Sequence, residues 1–377
     1  MSSVAACFVR VKVQDSPKGK ITISTLAKMS GVSRATVSRV LNDHASVNEE
    51  ARAKVMAAVK QSGYCRSLPR TRIALRFTQV TIISDEHTPF VEGSYLDIIL
   101  RVLRDEAEHL GVSCNFVGRD LALDRTRLAE VLSKAQAVIM VGSDNLELLN
   151  QVKSYQLPTV IFNGSDPKME VNSLSPDSEN GMMMLGQYLI ARGHTKACIL
   201  NAHIKHAMRD RSYGFAHAFD DAGIPFDHSR QIIDLCAIAP KVDPTGQLYQ
   251  QLMSRQAGVD FGAAKMLPYL IDHNYFEGMT AIACVCDATA ISVIKAFQER
   301  GIKVPEDISV TGFDDIVLSS MMTPALTTIH IDFQNMAKTA FSMLIRSASG
   351  SFPMPIRAYS AVTIKERASV RQLKLAR

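Results

Sequence analysis

The 377-residue sequence predicts a small all-α head followed by a larger α/β body of two lobes built on parallel sheets. Three observations predict this. Formal charge is segregated, with +8 on residues 20–76 and −5 on residues 77–377. Residues 23–64 show only helical apolar spacing, divided by capping residues. From Gln79 onward apolar strands alternate with helical stretches, the pattern of βα units with helices on both faces of a parallel sheet. The strands are too many for one compact half, so two lobes with a cleft between them are expected.

In the head, Ser24 is expected to cap a first helix carrying Leu26, Ala27 and Met29. Gly31 supplies the left-handed residue that ends it. Ser33 caps a second helix, in which Val37, Val40 and Leu41 form one apolar stripe. The opposite face carries Arg34, Thr36, Ser38, Arg39 and Asn42, long donors and short hydroxyls of the kind that reach guanine edges and phosphates. Asn48 caps a third helix, with Glu49 and Glu50 at its positive end and Ala51, Val55, Ala58 and Val59 facing inward. Three short helices with a tight turn at Gly31 make a helix-turn-helix. A basic head on an acidic body points to a polyanion as the head's partner.

In the body the strand candidates are residues 80–84, 112–117, 137–142, 158–163, 196–201, 231–235, 281–286 and 308–313. Helical patterns separate them, including one long stretch ending near Asn274. Composition is that of a soluble globular protein, 47% hydrophobic and 21% charged. No apolar run approaches the roughly 20 residues of a membrane span. Arg10, Lys12 and Asp15 interrupt the N-terminal apolar residues, so a signal peptide is not expected. Seven scattered cysteines fit a reducing cytoplasm. Cys284 and Cys286 alternate along a buried strand, with no His or Cys partner at metal-ligand spacing. His194, His203 and His206 complete no catalytic set, and no Ser-His-Asp grouping, Walker loop or G-x-G-x-x-G occurs. No metal, cofactor or enzymatic activity is therefore expected.

"LAKMSGVSRATVSRVLN" and the following "VNEEARAKVMAAVKQSGY" resemble the DNA-binding head of the lactose/galactose repressor (LacI/GalR) family. Every fixed position of the family pattern from Val32 to Asn42 is matched. The resemblance implies that the second helix enters the major groove. Arg34 and Ala35 stand where the family selects its operator, and Arg39 stands for an arginine that reads bases. Thr22, Ser33, Thr36, Ser38 and Asn42 stand for residues that hold phosphates or the helix position. The body continues the resemblance through "TPFVEG", "ARGHTKACIL", "RDRSYGFAHAFDDAGI", "VPEDISVTGFDD" and "TPALTTIHIDFQNMAKTAFSMLI", and "AVTIKERAS" resembles the closing strand. It spans residues 20–368 and implies a periplasmic-binding-protein-like body with discontinuous lobes. By the same resemblance Arg211 and Asp287 bind the effector, Phe90 stacks on it, and Asp144 offers a first-lobe polar contact. Cys286 departs from an asparagine common in the family. Asp314 and Asp315 are read as a turn that caps the next segment.

The hinge also departs from the family. Arg66, Ser67, Arg70 and Ile73 replace its proline, asparagine, alanine and leucine, and Pro69 is added. With Ser67 as cap, Pro69 falls in the first turn, where a missing N–H is tolerated. Ile73 then takes the position of the leucine that wedges into the minor groove.

The expected organisation is a flexible extension (1–19), a helix-turn-helix domain (20–64), a hinge (65–77), a two-lobed effector and dimerisation domain (78–368) and a tail (369–377). The expected function is a cytoplasmic, homodimeric repressor of a carbohydrate-utilisation operon. It would bind palindromic double-stranded DNA under control of a sugar, sugar acid or sugar phosphate. A regulator answering to a nucleoside or purine corepressor, a sugar-binding transport protein, and an enzyme with a DNA-binding head are the competing readings.

Overall fold

The structure, a computed structural model, describes residues 23–41, 47–62, 76–86, 93–350 and 354–373. The chain divides into two compact units, Met1–Ile73 and Ala74–Arg377.

The first unit holds α1 (Ile23–Ser30), α2 (Arg34–Leu41) and α3 (Glu49–Ser62). Gly31 ends α1 with φ +67°. Helix α1 begins at Ile23, so Ser24 lies in its first turn and is not the cap. Ser33 does cap α2, its Oγ accepting from the Thr36 amide at 3.1 Å. Asn48 caps α3, its Oδ1 accepting from the Glu50 amide at 2.7 Å. Leu26, Val37, Val40, Val55 and Ala58 form a common core, one residue or more from each helix. A core this small is of marginal stability, so both caps matter.

The second unit runs β1 (Gln79–Ser84), α4 (Tyr95–Leu110), β2 (Ser113–Val117), α5 (Arg119–Ala122), α6 (Arg125–Leu132), β3 (Val138–Val141), α7 (Leu146–Ser154), β4 (Thr159–Phe162) and β5 (Asn172–Pro176). It continues with α8 (Ser178–Ala191), β6 (Ala197–Asn201), α9 (His206–Asp221), α10 (His228–Gln231), β7 (Ile232–Asp234), α11 (Leu235–Val242), α12 (Gln247–Met253) and α13 (Ala263–Asp272). It closes with β8 (Ala281–Cys284), α14 (Asp287–Glu299), β9 (Ser309–Asp314), α15 (Val317–Met321), β10 (Thr327–Ile331), α16 (Phe333–Ala348), β11 (Arg357–Ser360) and β12 (Val362–Lys365).

Two six-stranded sheets result, ordered β11-β5-β4-β3-β1-β2 and β12-β10-β9-β8-β6-β7. All neighbours are parallel except β12, which pairs antiparallel with β10. Each sheet is the centre of a lobe. Helix α16 packs on α4 and the first sheet, so the chain crosses between lobes after β5, after β10 and after β11. Both lobes are discontinuous. The central strands are buried on both faces, which is why β3, β4 and β8 read as unbroken apolar runs.

Three strands escaped the sequence reading. β5 (NSLSP) and β11 (RAYS) are polar or end in proline, and β10 (TTIHI) carries two threonines and a histidine. The long helical stretch is three helices, α11 to α13, with Asp243 and Asp260 each accepting from the next segment's backbone amides in the breaks. Residues 369–373 are not a loose tail. Ser369 is fully buried and its Oγ donates to the Val310 carbonyl at 2.6 Å, while the Leu373 amide donates to the Arg192 carbonyl.

Helices α8 and α9 meet across glycines. A Cβ on Gly214 would lie 2.0 Å from the Glu179 carbonyl oxygen. Helix propensity alone makes Gly→Ala favourable by about 0.8–1.0 kcal/mol, but the close approach is through backbone that cannot swing aside. Gly214→Ala is expected to lower stability by about 1–3 kcal/mol, seen as a lower urea midpoint; a raised midpoint would refute this packing.

Candidate functional site

In the head, the α2 cap also ties two candidate side chains together. The Ser33 and Thr36 hydroxyls lie 2.8 Å apart. With Val37 and Val40 turned into the core, Arg34, Ala35 and Arg39 are left exposed on one side of α2, with Thr36 and Ser38 half-buried beside them. On the far helix, Glu50 is occupied by Lys54 at 2.7 Å. Thr22, Asn42 and Ile73 lie outside the described residues, as does the rest of the hinge up to residue 75.

In the body, a cavity of about 790 Å³ lies between the lobes. Its wall is built at the carboxyl ends of strands from both sheets. Glu86 follows β1, Asn163 follows β4, Lys205 follows β6, Cys286 follows β8 and Asp314 ends β9. Open α/β sheets hold ligands at this end.

Arg211, on α9, reaches this wall and is only 7% exposed. Its Nη1 donates to the Val285 carbonyl at 2.5 Å and its Nη2 lies 3.5 Å from Asp314 Oδ1. The guanidinium sits 3.7 Å above the Phe313 ring. Asp314, expected from the sequence to belong to a turn that caps the next segment, is a wall residue. Burial pushes its carboxyl up to about 6 even though Arg211 opposes the shift. Its φ of +112° is strained for a non-glycine residue, a condition that clusters at functional sites. The available signal was position, since "GFDD" ends a parallel strand at the ligand-binding edge.

Asp287, expected to bind the effector, is fully buried and is not among the residues that line the cavity. Its carboxylate accepts from the Ile316 amide (2.9 Å), Ser319 Oγ (2.6 Å) and Thr328 Oγ1 (2.5 Å). It ties α14 to the β9–α15 turn and to β10, and burial pushes its carboxyl up to about 7. Asp144 is also not among the residues that line the cavity: its Oδ2 accepts from the His206 amide at 3.2 Å, at the start of α9. Phe90 lies outside the described residues.

Among the described residues, that Asp144 contact is one of three polar contacts that join the lobes. The other two are ion pairs, Glu86 with Lys205 and Asp85 with Arg255, the latter at 3.4 Å. All four charged side chains are at most 16% exposed, so each pair is shielded from solvent far more than a surface salt bridge.

The body does contain a Ser-His-Asp chain, which distance along the sequence conceals. Ser212 Oγ lies 2.8 Å from His203 Nε2, and His203 Nδ1 lies 3.2 Å from Asp234 Oδ2. Ser212 is 3% exposed, Asn201 Nδ2 donates to its Oγ at 2.7 Å, and none of the three residues lines the cavity. The chain braces α9 against the β6–α9 link and β7. His194 is likewise structural, held between Thr280 Oγ1 and the Arg371 carbonyl at 3.0 Å each.

Comparison with known proteins agrees with this architecture. Residues 22–67 match the bacterial regulatory proteins of the lacI family. The chain therefore carries a lacI-family DNA-binding domain. Its residues 187–370 match a periplasmic binding protein-like domain. It is similar to the HTH-type transcriptional regulator DegA of Bacillus subtilis (strain 168), with 27% identity over 88% of this chain and 92% of that one. It is also 27% identical to the HTH-type transcriptional repressor PurR of Vibrio atlanticus (strain LGP32), over 86% of this chain and 91% of that one. Among solved structures, the transcriptional regulator CelR–cellobiose complex shares its fold, with TM-score 0.63, 21% identity and coverage of 93% and 99%. The relatives it matches are named as transcriptional regulators. Among its described residues no helix is long and apolar enough to cross a membrane.

The two raised carboxyls set a pH dependence. Folding lifts both above their unfolded values, so between about pH 4 and 7 the folded body binds more protons and loses stability as pH rises. His194, whose pKa burial lowers, opposes this. The difference between Asp287→Asn and the parent chain removes the opposing term. The parent is expected to lose more stability than Asp287→Asn between pH 5.5 and 7.5 in urea titrations; parallel curves would contradict the assignment.

Proposed function

We propose that the chain is a cytoplasmic, homodimeric repressor of a carbohydrate-utilisation operon, with operator binding controlled by a sugar-type effector in the inter-lobe cleft. The observation that carries the DNA-binding half is the α2 face. Capping by Ser33 and packing of Val37 and Val40 leave Arg34 and Arg39 exposed on α2, on a segment of charge +8. Arginine pairs bidentately with guanine in the major groove. Two heads on a twofold axis would read two half-sites of a palindrome, which is the argument for the dimer.

The cavity walled by both lobes supports the effector half. A ligand that touches both lobes changes their relative stability, and so biases any state to which the head is coupled. Arg211 is proposed as the effector-binding arginine and Asp314 as its acidic partner, in place of Asp287. Asp144 is proposed as an inter-lobe clasp. The CelR complex contains cellobiose, in keeping with a sugar-type effector; PurR's name keeps a purine as the second arm of the screen.

The test selects duplex DNA from a random pool with the full chain and follows binding by anisotropy. Affinity for the selected duplex is expected to fall linearly in log–log form with salt. Arg39→Ala is expected to weaken specific binding by about 1–3 kcal/mol, while thermal shifts with cleft ligands stay unchanged. Enrichment of no duplex would sink the reading. Arg211→Lys keeps a cation opposite Asp314 but loses the planar fork. In a screen of sugars and purines it is expected to bind the operator normally and to lose the response of the parent; an intact response would remove Arg211 from the effector site.

A further inference from the structure

We infer that the cleft takes an uncharged, amphipathic effector, with a hydroxylated head placed against Tyr95, Arg211 and Asp314 and an apolar aryl or alkyl body lying against Val259, Phe261, Val317 and Met321. This rests on the reading of the cleft as the effector site and narrows it, setting aside sugar acids and sugar phosphates.

Charge balance is the first ground. The cationic side chains of the described wall are each matched by an anion of the protein. Arg211 faces Asp314 at 3.5 Å, Lys205 pairs with Glu86, Arg255 with Asp85 at 3.4 Å, and Arg101 with Asp97 at 2.5 Å. The remaining wall carboxylate, Asp260, accepts from Ser292 Oγ at 2.7 Å and from the amides of Gly262 and Ala264. A phosphate or carboxylate entering here would shed water and meet cations already neutralised. Uncompensated anions are costly in such a place.

An orphan donor is the second. The Tyr95 phenol oxygen is buried and has no hydrogen-bond partner, although Tyr95 lines the cavity. Its ring is fixed edge-on against Phe333, with centroids 5.5 Å apart, so the hydroxyl cannot readily turn away. Buried polar groups in native proteins are nearly always paired. Burial also pushes this phenol well above its ordinary value, with Glu86 and Asp314 adding to the shift. It is therefore a neutral O–H donor beside carboxylates and a guanidinium, a site suited to a ligand oxygen.

The rest of the wall is the third. Beyond this polar corner come Met208, Val259, Phe261, Ile291, Val317 and Met321. Val317 is 58% exposed and Met321 73% exposed, large apolar side chains with surface left to cover. A cavity of about 790 Å³ lies in the upper part of the roughly 300–1,000 Å³ range that encloses drug-sized ligands. A bare polyol would turn several hydroxyls toward this apolar wall without partners.

The experiment titrates the full chain with two fluorescent probes that share one body. N-phenyl-1-naphthylamine is uncharged, and 1-anilinonaphthalene-8-sulfonate adds one anion to nearly the same frame. The uncharged probe is expected to bind saturably and at least tenfold tighter than the sulfonate. Its affinity should fall at least tenfold in Val317→Glu/Met321→Glu, changes at exposed positions, or in Val317→Ala/Met321→Ala should the charged pair fail to fold. 1-Naphthol should displace it at lower concentration than naphthalene, and that gap should close in Tyr95→Phe. Equal or tighter binding of the sulfonate, binding indifferent to the α15 variants, no saturable binding, or no naphthol advantage would each overturn the inference. Operator binding measured alongside separates the two claims. If a metabolite shifts operator affinity while the uncharged probe is excluded, the inference fails and the regulator reading stands. If the probe binds as expected but no ligand alters operator affinity, the regulator reading fails instead.

Discussion

The cleft depends on one buried interaction, the Arg211 guanidinium held between the Val285 carbonyl, the Asp314 carboxylate and the Phe313 ring. These partners come from the turn after β8 and from the end of β9, while Arg211 itself comes from α9. The guanidinium therefore sets the spacing of three elements at the carboxyl edge of the second sheet. Removing one member of such a pair leaves the other buried and unpaired, a loss typically of about 3–5 kcal/mol. The strained backbone at Asp314 is tolerated because Arg211 and the surrounding packing over-determine its position. Asp287 works one layer deeper, collecting three donors and holding α14, β10 and the β9–α15 turn together. Even the absence of a side chain at Gly312 belongs to this layer, since a Cβ there would fall 2.1 Å from Asp287 Oδ1.

Above that layer, the lobes touch through few but shielded polar contacts, Glu86 with Lys205, Asp85 with Arg255 and Asp144 with the His206 amide. Pairs of this kind contribute little net stability over a well-packed apolar contact, but breaking one without a substitute is expensive. That makes them suited to defining two discrete arrangements rather than a continuum. A ligand in the cavity lies beside Glu86, Lys205 and Arg255 and so acts on the same contacts. The coupling is reciprocal, so DNA that favours one arrangement also changes the cleft's affinity.

Much of this was legible in the sequence. The head was read from local signals, Gly31 as a left-handed stop, Ser33 and Asn48 as caps, and Val37 and Val40 as the inward stripe. Arg211 was placed by resemblance, and the alternation of apolar strands and helices revealed two parallel sheets. What stayed hidden depends on distant pairings. β5, β10 and β11 carry polar residues or proline and become strands only because neighbouring strands accept them. Asp287 and Asp314 lie on consecutive βα units with similar local sequence, and only the three-dimensional hydrogen bonds decide which one faces the cavity. The same holds for Ser212, His203 and Asp234, brought together by α9 folding back against β6 and β7. Burial of Ser369 against Val310 is equally hidden in the sequence, since it depends on a partner 59 residues away.

The account's central claim is that the arrangement of the lobes controls the head, and this can be tested without knowing the effector. Asp144 meets the His206 backbone amide across the lobes. Both would be replaced by cysteine in a full chain whose Cys7, Cys65 and Cys114 are serine. A short bismaleimide would then lock this arrangement of the lobes, and affinity for the selected duplex would be compared before and after locking. The account predicts a change of at least about tenfold, equivalent to 1.4 kcal/mol of coupling. Identical isotherms for the locked and unlocked chains would contradict it.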